Sequence, residues 1–261
     1  LAKSKCKLIM SRRSLNLYQK NFPLSKTIEK FLHKKVDKIL VNSKAVKNQL
    51  INKENVSKNK IKIIYNGVDA RYRKRDDRRY GKSSIIMIAN LIPYKNHRMA
   101  LYALNIIKEK LPKDWFIYFI GRDDGIRKDL VSLAEKLEIR KNTLFIHTKD
   151  IHSILPDMSM GILCSEEESF PNAILEYFSH KVPVISSDVG GCKEIVKNKK
   201  NGILLKKNNA LELSKAILYL YKNKKIAKKF GTEGFKIIKK KFTLNKMINE
   251  HEREYLEHVN P

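Results

Sequence analysis

Cysteine and long apolar runs are both scarce in this chain of 261 residues. Its three cysteines, Cys6, Cys164 and Cys192, lie far apart and show no metal-site spacing. They argue against a disulfide framework and indicate a reducing compartment. No apolar run is long enough to span a membrane, and no signal peptide is evident. We therefore expect a cytoplasmic protein.

Acidic residues are also few, with 27 Asp and Glu against 55 Lys and Arg, which gives a formal net charge of +28. Three explanations of this charge are binding to nucleic acid, binding to an anionic membrane surface, and a composition that is simply rich in lysine. The lysines are spread along the whole chain, and the aromatic residues do not interleave with them as a stacking platform requires. We therefore expect no nucleic-acid partner. Peripheral contact with the inner face of the membrane and plain composition both stay open.

Predicted strands alternate with predicted helices, which indicates an α/β protein with a doubly wound parallel sheet. The length allows one large or two small domains. The strands are expected at residues 7–11, 36–41, 61–65, 85–89, 115–120, 143–146, 161–164, 182–185 and 203–205. The helices are expected at residues 24–35, 44–51, 98–110, 127–137, 150–155, 210–221, 224–240 and 244–258, with a further one that begins at Pro171.

The helix that begins at Pro171 follows directly on a buried strand and a polar, acidic loop. In a parallel sheet, such a helix points unpaired N–H groups and a partial positive charge into the crevice above the carboxyl ends of the strands. Nucleotide ligands of open α/β sheets bind in that crevice. The backbone N–H groups of Phe170 and Asn172 are the ones expected to face it. The stretch therefore favours an anionic ligand.

Two carboxylates flank the start of this helix. Glu176 lies about one and a half turns into it, where it could accept hydrogen bonds from a diol such as a ribose. Glu168 lies in the preceding loop, where it could meet a second hydroxylated group beyond the phosphates. From the residues alone, solvated acids on a surface loop explain both positions equally well.

The segment E-S-F-P-N-A-I-L-E, Glu168 to Glu176, is followed by K-V-P-V-I-S-S-D-V-G-G. Together they closely resemble the E-x7-E signature of the retaining glycosyltransferases of family 4, which have the GT-B fold. Two earlier segments, V-D-K-I-L-V-N-S-K-A-V and K-I-K-I-I-Y-N-G-V-D, resemble the end of the first domain in the same family. The resemblance implies two Rossmann-like domains with a nucleotide-sugar site on the second.

The same resemblance implies a division of the chain. Residues 1–69 correspond to part of the N-terminal, acceptor-side domain, and residues 70–82, dense in arginine and aspartate, to a solvated linker. Residues 83–241 correspond to a complete nucleotide-sugar-binding domain, and residues 242–261 to a helix that crosses back to the first domain. The glycine-rich first loop and the acceptor-side histidine of the family have no counterpart here. We therefore expect the chain to lack the N-terminal part of the first domain.

Lys95 is the third chemical residue that the resemblance identifies. It lies in A-N-L-I-P-Y-K-N-H, which resembles the family pattern G-R-L-x-x-x-K-G, with Lys95 at the lysine. A lysine there neutralises a diphosphate leaving group. Asn90 falls where many members have arginine and can donate a hydrogen bond but carries no charge, so Lys95 would carry more of the phosphate contact.

Two further segments match the family around the nucleotide. Gly121 matches a glycine at the end of the next strand, where a backbone approaches the nucleotide closely. The loop of residues 146–151, which includes Thr148 and Ile151, matches the segment that usually edges the base. His147 replaces a common glycine in that loop. The resemblance thus places donor contacts on Gly121, Thr148 and Ile151.

The activity implied is transfer of a hexose-like sugar from a nucleotide-sugar to an acceptor with retention of anomeric configuration, in cell-surface polysaccharide or glycolipid synthesis. Lys95 and the helix start, Phe170, Pro171 and Asn172, would stabilise the departing phosphate. Glu176 would hold the ribose, and Glu168 the sugar hydroxyls, so Glu168 and Lys95 are the predicted catalytic residues.

No metal and no cofactor are expected beyond the donor, a UDP-sugar ahead of a GDP-sugar, because the lysine and the helix dipole take the place of a metal. The acceptor is expected to be lipid-linked or a saccharide. The alternative is a nucleotide-sugar-binding module or an inactive fragment that no longer catalyses.

Overall fold

The computed structural model describes residues 7–15, 23–70, 83–148, 150–206 and 208–259. Most of the predicted linker therefore lies outside the described residues, and the domain division stays a prediction. Two parallel sheets organise the described part, one of three strands and one of six. We call the parts built on them the first unit and the second unit.

The first unit is a three-stranded parallel sheet in which the strands follow chain order. Two helices connect them, and the second begins at a side-chain cap, in which the Ser43 hydroxyl accepts a hydrogen bond from the Val46 N–H at 3.1 Å. The elements are β1 Ile9–Arg12, α1 Pro23–Lys35, β2 Lys38–Val41, α2 Lys44–Glu54 and β3 Ile61–Ile63.

The second unit is a six-stranded parallel sheet whose strands are β4 Ser83–Ile88, β5 Trp115–Ile120, β6 Thr143–Ile146, β7 Met160–Leu163, β8 Val184–Ser187 and β9 Gly202–Leu205. Their order is β6-β5-β4-β7-β8-β9. The chain thus builds outward from β4 in one direction and from β7 in the other. The border between β4 and β7 is the topological switch point, where open α/β sheets bind their ligands.

Helices cover both faces of the second sheet. Residues along each strand alternate between two buried apolar clusters, so that Ile85 and Met87 belong to one and Ile86 to the other. The helices are α3 His97–Ile107, α4 Arg127–Lys136, α5 Asn172–Ser179, α6 Cys192–Ile195, α7 Ala210–Lys222 and α8 Lys224–Lys241, and a last described helix, α9 Leu244–Val259, follows them. The α/β class with parallel sheets is confirmed.

One predicted helix is wrong. Residues 150–155 form a turn that leads into a short 3₁₀ segment, Leu155–Asp157. The Asp150 carboxylate accepts a hydrogen bond from the Ser153 N–H at 3.2 Å, which closes the turn locally. Pro156 has no backbone N–H, so it cannot donate the hydrogen bond that would continue an α-helix from residue 152. The four-residue helix α6 was not predicted, because four residues are too few for a helical period to show.

The last helix, α9, contacts the first unit. Val68 forms an isolated parallel bridge with Thr243, just before the helix begins. Further along, the Lys62 ammonium lies 2.7 Å from the buried Glu254 carboxylate. Within the described residues, no helix combines the length and the apolar composition that crossing a membrane requires.

Tyr177 of α5 joins the two halves of the second sheet at the switch point. β4 and β7 pair over only two positions, Ile85 with Met160 and Ile86 with Gly161. Beyond these two positions the Tyr177 hydroxyl lies between the strands. It accepts a hydrogen bond from the Ile88 N–H at 2.7 Å and donates one to the Ile162 carbonyl at 3.2 Å. The side chain is fully buried. One hydroxyl therefore bonds both strands where their direct pairing ends.

Replacing Tyr177 with phenylalanine should lower the free energy of unfolding by about 1–3 kcal/mol, because the buried Ile88 N–H is left without its acceptor. Urea titration followed by circular dichroism measures this loss. Tyr219→Phe is the matched control, since Tyr219 is 45% exposed. Equal stability of the two variants would show that the hydroxyl contributes nothing.

Candidate functional site

Three loops meet above the switch point, each at the carboxyl end of a strand. They follow β4, β7 and β8, and backbone hydrogen bonds join them. The Glu166 N–H donates to the Tyr94 carbonyl at 2.9 Å, and the Gly191 N–H donates to the Glu168 carbonyl at 3.2 Å. Residues far apart in sequence therefore form one wall of a crevice.

The predicted catalytic pair, Lys95 and Glu168, is in direct contact on this wall. The Lys95 ammonium lies 2.6 Å from Glu168 Oε1, and both side chains are largely buried, at 17% and 10% exposure. The Ser165 hydroxyl donates to the same oxygen at 2.8 Å. The Lys95 ammonium also lies 5.2 Å from the centre of the Tyr94 ring. The family resemblance predicted both residues as catalytic, but not that they form an ion pair.

Gly190 fixes the position of the Glu168 backbone from the other side. It adopts a left-handed φ of 47°, and a Cβ built on it would lie 1.6 Å from the Glu168 carbonyl oxygen. Only glycine fits such an approach. The first glycine of the D-V-G-G segment therefore packs the loop after β8 tightly against the loop that carries Glu168.

The start of α5 faces the same crevice. The helix begins at Asn172, one residue later than expected, with Pro171 in the extended capping position. The backbone N–H groups of Phe170 and Asn172 make no hydrogen bond with the described residues. These unbonded donors, together with the positive end of the helix dipole, can bind an anion.

The side chains at this helix start have other partners. The Phe170 ring is buried and lies 5.2 Å from the Tyr65 ring and 5.6 Å from the Phe242 ring, measured between centroids. The Asn172 side-chain carbonyl accepts from the Asn66 amide at 2.7 Å. At both positions, therefore, the backbone rather than the side chain is available to an anionic ligand.

Glu176 lies further along α5 and is half-buried. Its carboxylate makes no hydrogen bond with the described residues, and burial raises its pKa to about 7. Such a carboxylate can accept hydrogen bonds from the donor groups of a ligand. The predicted position for a ribose contact thus holds a desolvated carboxylate without a protein partner among the described residues.

Asn90 and Gly121 lie together at the ends of β4 and β5. The Asn90 side-chain oxygen accepts from the Arg122 N–H at 3.3 Å. A Cβ on Gly121 would lie 2.1 Å from the Ala89 carbonyl oxygen. The close approach of two protein backbones therefore already accounts for this glycine, whatever ligand it also meets.

The loop with Thr148 and Ile151 follows β6, two strands away from β4. Thr148 accepts the Asp150 N–H at 3.0 Å, and Ile151 is half-buried against the apolar cluster that includes α5. The loop reaches α5 through His152, whose Nδ1 lies 3.4 Å from His180 Nε2. Ile151 thus lies beside the helix that carries Glu176, and among the described residues no hydrogen bond or ion pair joins Thr148 or Ile151 to the Lys95–Glu168 pair.

The first unit supplies the facing wall of the crevice. The Ser169 hydroxyl donates to the Arg13 carbonyl at 2.7 Å, and the Arg13 guanidinium donates to the Asn66 side chain at 2.7 Å. Asn66 in turn bonds Asn172 at the start of α5. A chain of polar contacts therefore joins the two units directly beside Glu168.

Glu194 of α6 forms a second junction between the units. Its carboxylate accepts the N–H groups of Lys44 and Ala45 at the start of α2, at 3.0 and 3.2 Å. It also accepts the Tyr65 hydroxyl at 2.9 Å, and burial raises the pKa of that hydroxyl so that it stays protonated. A carboxylate of the second unit thus caps a helix of the first. Sequence reasoning missed Glu194, because no local pattern signals a partner so distant in the chain.

Two family models match the chain. The model for glycosyl transferases group 1 matches residues 68–237, well over half of the chain, and the model for glycosyltransferase family 4 matches residues 4–72. The chain belongs to the glycosyl transferases group 1 family. The first match covers the six-stranded sheet and the Lys95–Glu168 pair and ends within α8, and the second match covers the first unit.

Comparison with curated proteins also finds glycosyltransferases as sequence relatives of this chain. An uncharacterized glycosyltransferase from Methanocaldococcus jannaschii is 31% identical over 219 residues, which cover 81% of this chain and 57% of the relative. The N-acetyl-alpha-D-glucosaminyl L-malate synthase of Bacillus anthracis is 27% identical over 224 residues, which cover 81% of this chain and 58% of the relative. The chain thus spans a little under three fifths of the length of these two curated relatives.

A solved structure shares the fold. Anabaena HepE, in complex with UDP and glucose, superposes with a TM-score of 0.86 at 19% identity, covering 96% of this chain and 71% of that one. The likeness extends over both units. The GT-B fold expected from the sequence is confirmed.

One group of side chains in the first unit consists of residue types that can ligate a metal ion. Ligand atoms of Glu29, His33 and Glu54 all lie within 4.8 Å of one another. The Arg12 guanidinium, however, bonds Glu29 at 2.7 Å and Glu54 at 2.9 Å. Burial also lowers the pKa of His33. Because Arg12 already supplies the positive charge that these carboxylates need, we assign no metal to the group.

Glu176→Gln should change how stability depends on pH. The folded pKa of Glu176, about 7, lies above the ordinary value of 4.5, so the folded state holds a proton that the unfolded state has released. Stability from this group is present below pH 4.5 and is lost as the pH rises through 7. The variant should therefore match the wild type near pH 4 and exceed it near pH 8 by about 1–3 kcal/mol.

The measurement is the free energy of unfolding at the two pH values, by urea titration. Glu135→Gln, at an exposed position of α4, is the control and should show no such difference. If Glu176→Gln behaves like Glu135→Gln, the carboxyl is solvated and ordinary.

Proposed function

We propose that this protein transfers a sugar from a nucleotide-sugar to an acceptor with retention of anomeric configuration. The observation that carries the proposal is the Lys95–Glu168 contact at 2.6 Å beside the start of α5, in a chain of the glycosyl transferases group 1 family. A cation, a helix N-terminus and a carboxylate at one crevice suit a substrate that joins a diphosphate to a sugar.

The leaving diphosphate is assigned to Lys95 and the start of α5. When the bond between the anomeric carbon and the phosphate oxygen breaks, the electron pair and its negative charge go to the phosphate. The Lys95 ammonium and the unbonded N–H groups of Phe170 and Asn172 can stabilise that charge. Both are fixed before the ligand arrives, Lys95 by Glu168 and the N–H groups by the fold.

Glu168 is assigned to the sugar and Glu176 to the ribose. Glu168 accepts bonds from Ser165 and Lys95 through Oε1. We infer that its other oxygen accepts a sugar hydroxyl. The Glu176 carboxylate accepts the ribose diol, with Thr148 and Ile151 beside the base. A UDP-sugar is preferred to a GDP-sugar, and the UDP in the HepE complex supports that preference.

The acceptor is assigned to the side of the crevice formed by the first unit. Arg13 and Asn66 supply polar groups there, next to Ser169 and the sugar position. A lipid-linked or saccharide acceptor, in polysaccharide or glycolipid synthesis, suits a cleft of this kind. The net charge of +28 favours an acceptor held at an anionic membrane surface.

Lys95→Ala should weaken UDP binding by about 1.5–3 kcal/mol, or about 10- to 150-fold in Kd, since a charged hydrogen bond to phosphate is lost. Uridine binding should not change, because uridine has no phosphate. Glu176→Ala should weaken uridine and UDP alike. Isothermal titration calorimetry with both ligands measures the contrast, and Lys128→Ala on α4 is the control. Variants that bind UDP like the wild type would contradict the site.

Transfer itself is tested by incubation with UDP-sugars and GDP-sugars of defined anomeric configuration, together with saccharide and lipid-linked acceptors. Release of nucleoside diphosphate and a product of unchanged anomeric configuration, read by NMR, is expected. An inverted product would contradict the proposed mechanism. Tight UDP binding without any turnover would instead favour a nucleotide-sugar-binding module.

A further inference from the structure

A groove of about 620 Å³ runs along the outer edge of the second sheet, between β9 and the helices α7 and α8. Its floor is apolar and is formed by Ile203, Ala216, Ile226 and Phe230. Four exposed lysines line it, Lys199, Lys206, Lys215 and Lys229. The one acid among its lining residues, Glu212, accepts the Lys206 N–H at 3.0 Å. The groove therefore combines an apolar base with a positively charged rim.

The edge of β9 is not open to a peptide strand. The Leu204 N–H donates to the Asn198 side chain at 3.1 Å, and the Gly202 carbonyl accepts the Lys199 N–H at 2.8 Å. With the Lys206 N–H bonded to Glu212, three successive ladder positions are already occupied. A peptide that extends a sheet needs those groups. A partner must therefore be recognised through the lysines and the apolar floor.

Helix α7 presents both apolar and basic side chains on its exposed face. Leu211, Lys215 and Tyr219 lie four residues apart and so share one face of the helix. Leu211 is 52% exposed and Tyr219 is 45% exposed. An exposed leucine, a lysine and a tyrosine in one stripe are typical of a helix that lies in a membrane interface. An acidic polypeptide is recognised through the lysines alone, whereas a bilayer interface also uses the exposed leucine and tyrosine.

The groove is linked to the crevice of the candidate site. The Asn208 amide, two residues after Lys206, donates to the Cys164 carbonyl at 3.2 Å. Cys164 directly precedes the loop that carries Glu168. The end of the groove beside the carboxyl end of β9 therefore lies on the same edge of the sheet as the crevice.

We propose that this groove binds an anionic phospholipid of a bilayer, with the lysines on the headgroup phosphate and the apolar floor against an acyl chain. The inference rests on the proposed function, because a lipid-linked acceptor lies in a bilayer. It differs from a general effect of net charge in that it assigns the contact to one surface. That surface places the crevice edge of the second unit next to the membrane.

The test is sedimentation with vesicles of phosphatidylcholine, alone and mixed with phosphatidylglycerol. The double variant Lys215→Glu with Lys229→Glu should lose about 30-fold or more in partition to the anionic vesicles, since each lysine contributes about 1 kcal/mol. The control is Lys128→Glu with Lys136→Glu, two exposed lysines of α4 near the opposite edge of the sheet. It changes the net charge equally and should lose only a few-fold.

Three outcomes would overturn the proposal: equal losses in the two double variants, no loss in the first, or equal binding of the wild type to neutral and anionic vesicles. Tyr219→Ser tests the apolar contact separately from charge. It should weaken binding to the vesicles even at high salt, where charge is screened. Unchanged binding of Tyr219→Ser, with full displacement by polyglutamate, would identify an acidic polypeptide instead. UDP titration of the same variants should match the wild type, so that a failure of the proposed function is read separately.

Discussion

The hydroxyl of Tyr177 holds together the point where the second sheet changes direction. β4 and β7 share only two paired positions, and a longer ladder would close the crevice between the loops that follow them. The hydroxyl satisfies the Ile88 N–H and the Ile162 carbonyl after the strands separate. Gly161 makes room for the ring, because a Cβ there would lie 2.5 Å from it. An opening in the sheet is thus obtained without leaving these buried backbone groups unbonded.

The Lys95–Glu168 pair depends on that opening. Both residues follow strands that border the switch point, and their side chains are mostly withdrawn from water. A buried ion pair is expensive to desolvate and contributes little to stability. Its value is geometric, since it holds an ammonium and a carboxylate at fixed positions beside the start of α5. In the function we propose, an arriving diphosphate would meet a cation whose desolvation has already taken place during folding.

Much of this arrangement was predictable, and the exceptions share a cause. Buried strands and amphipathic helices show in the sequence because their periods are local, and Lys95 and Glu168 followed from motifs. The ion pair itself, the contact of Gly190 with Glu168 and the cap that Glu194 provides for α2 depend on the packing of distant segments. No pattern of neighbouring residues encodes them. The wrong helix at 150–155 failed for a local reason, because Asp150 and Pro156 favour a turn over the helical period.

The segment after β8 joins the crevice to the first unit. Gly190 packs against the Glu168 carbonyl, and four residues later Glu194 accepts the N–H groups that begin α2. Glu194 lies within α6, a helix of only four residues, so the segment between the two contacts has little length over which to absorb a displacement. Glu168 therefore cannot move far without disturbing the cap on α2. The position of the first unit and the geometry of the ion pair we propose as catalytic are consequently coupled, through the bonds of Glu194 to α2 and of Ser169 to Arg13.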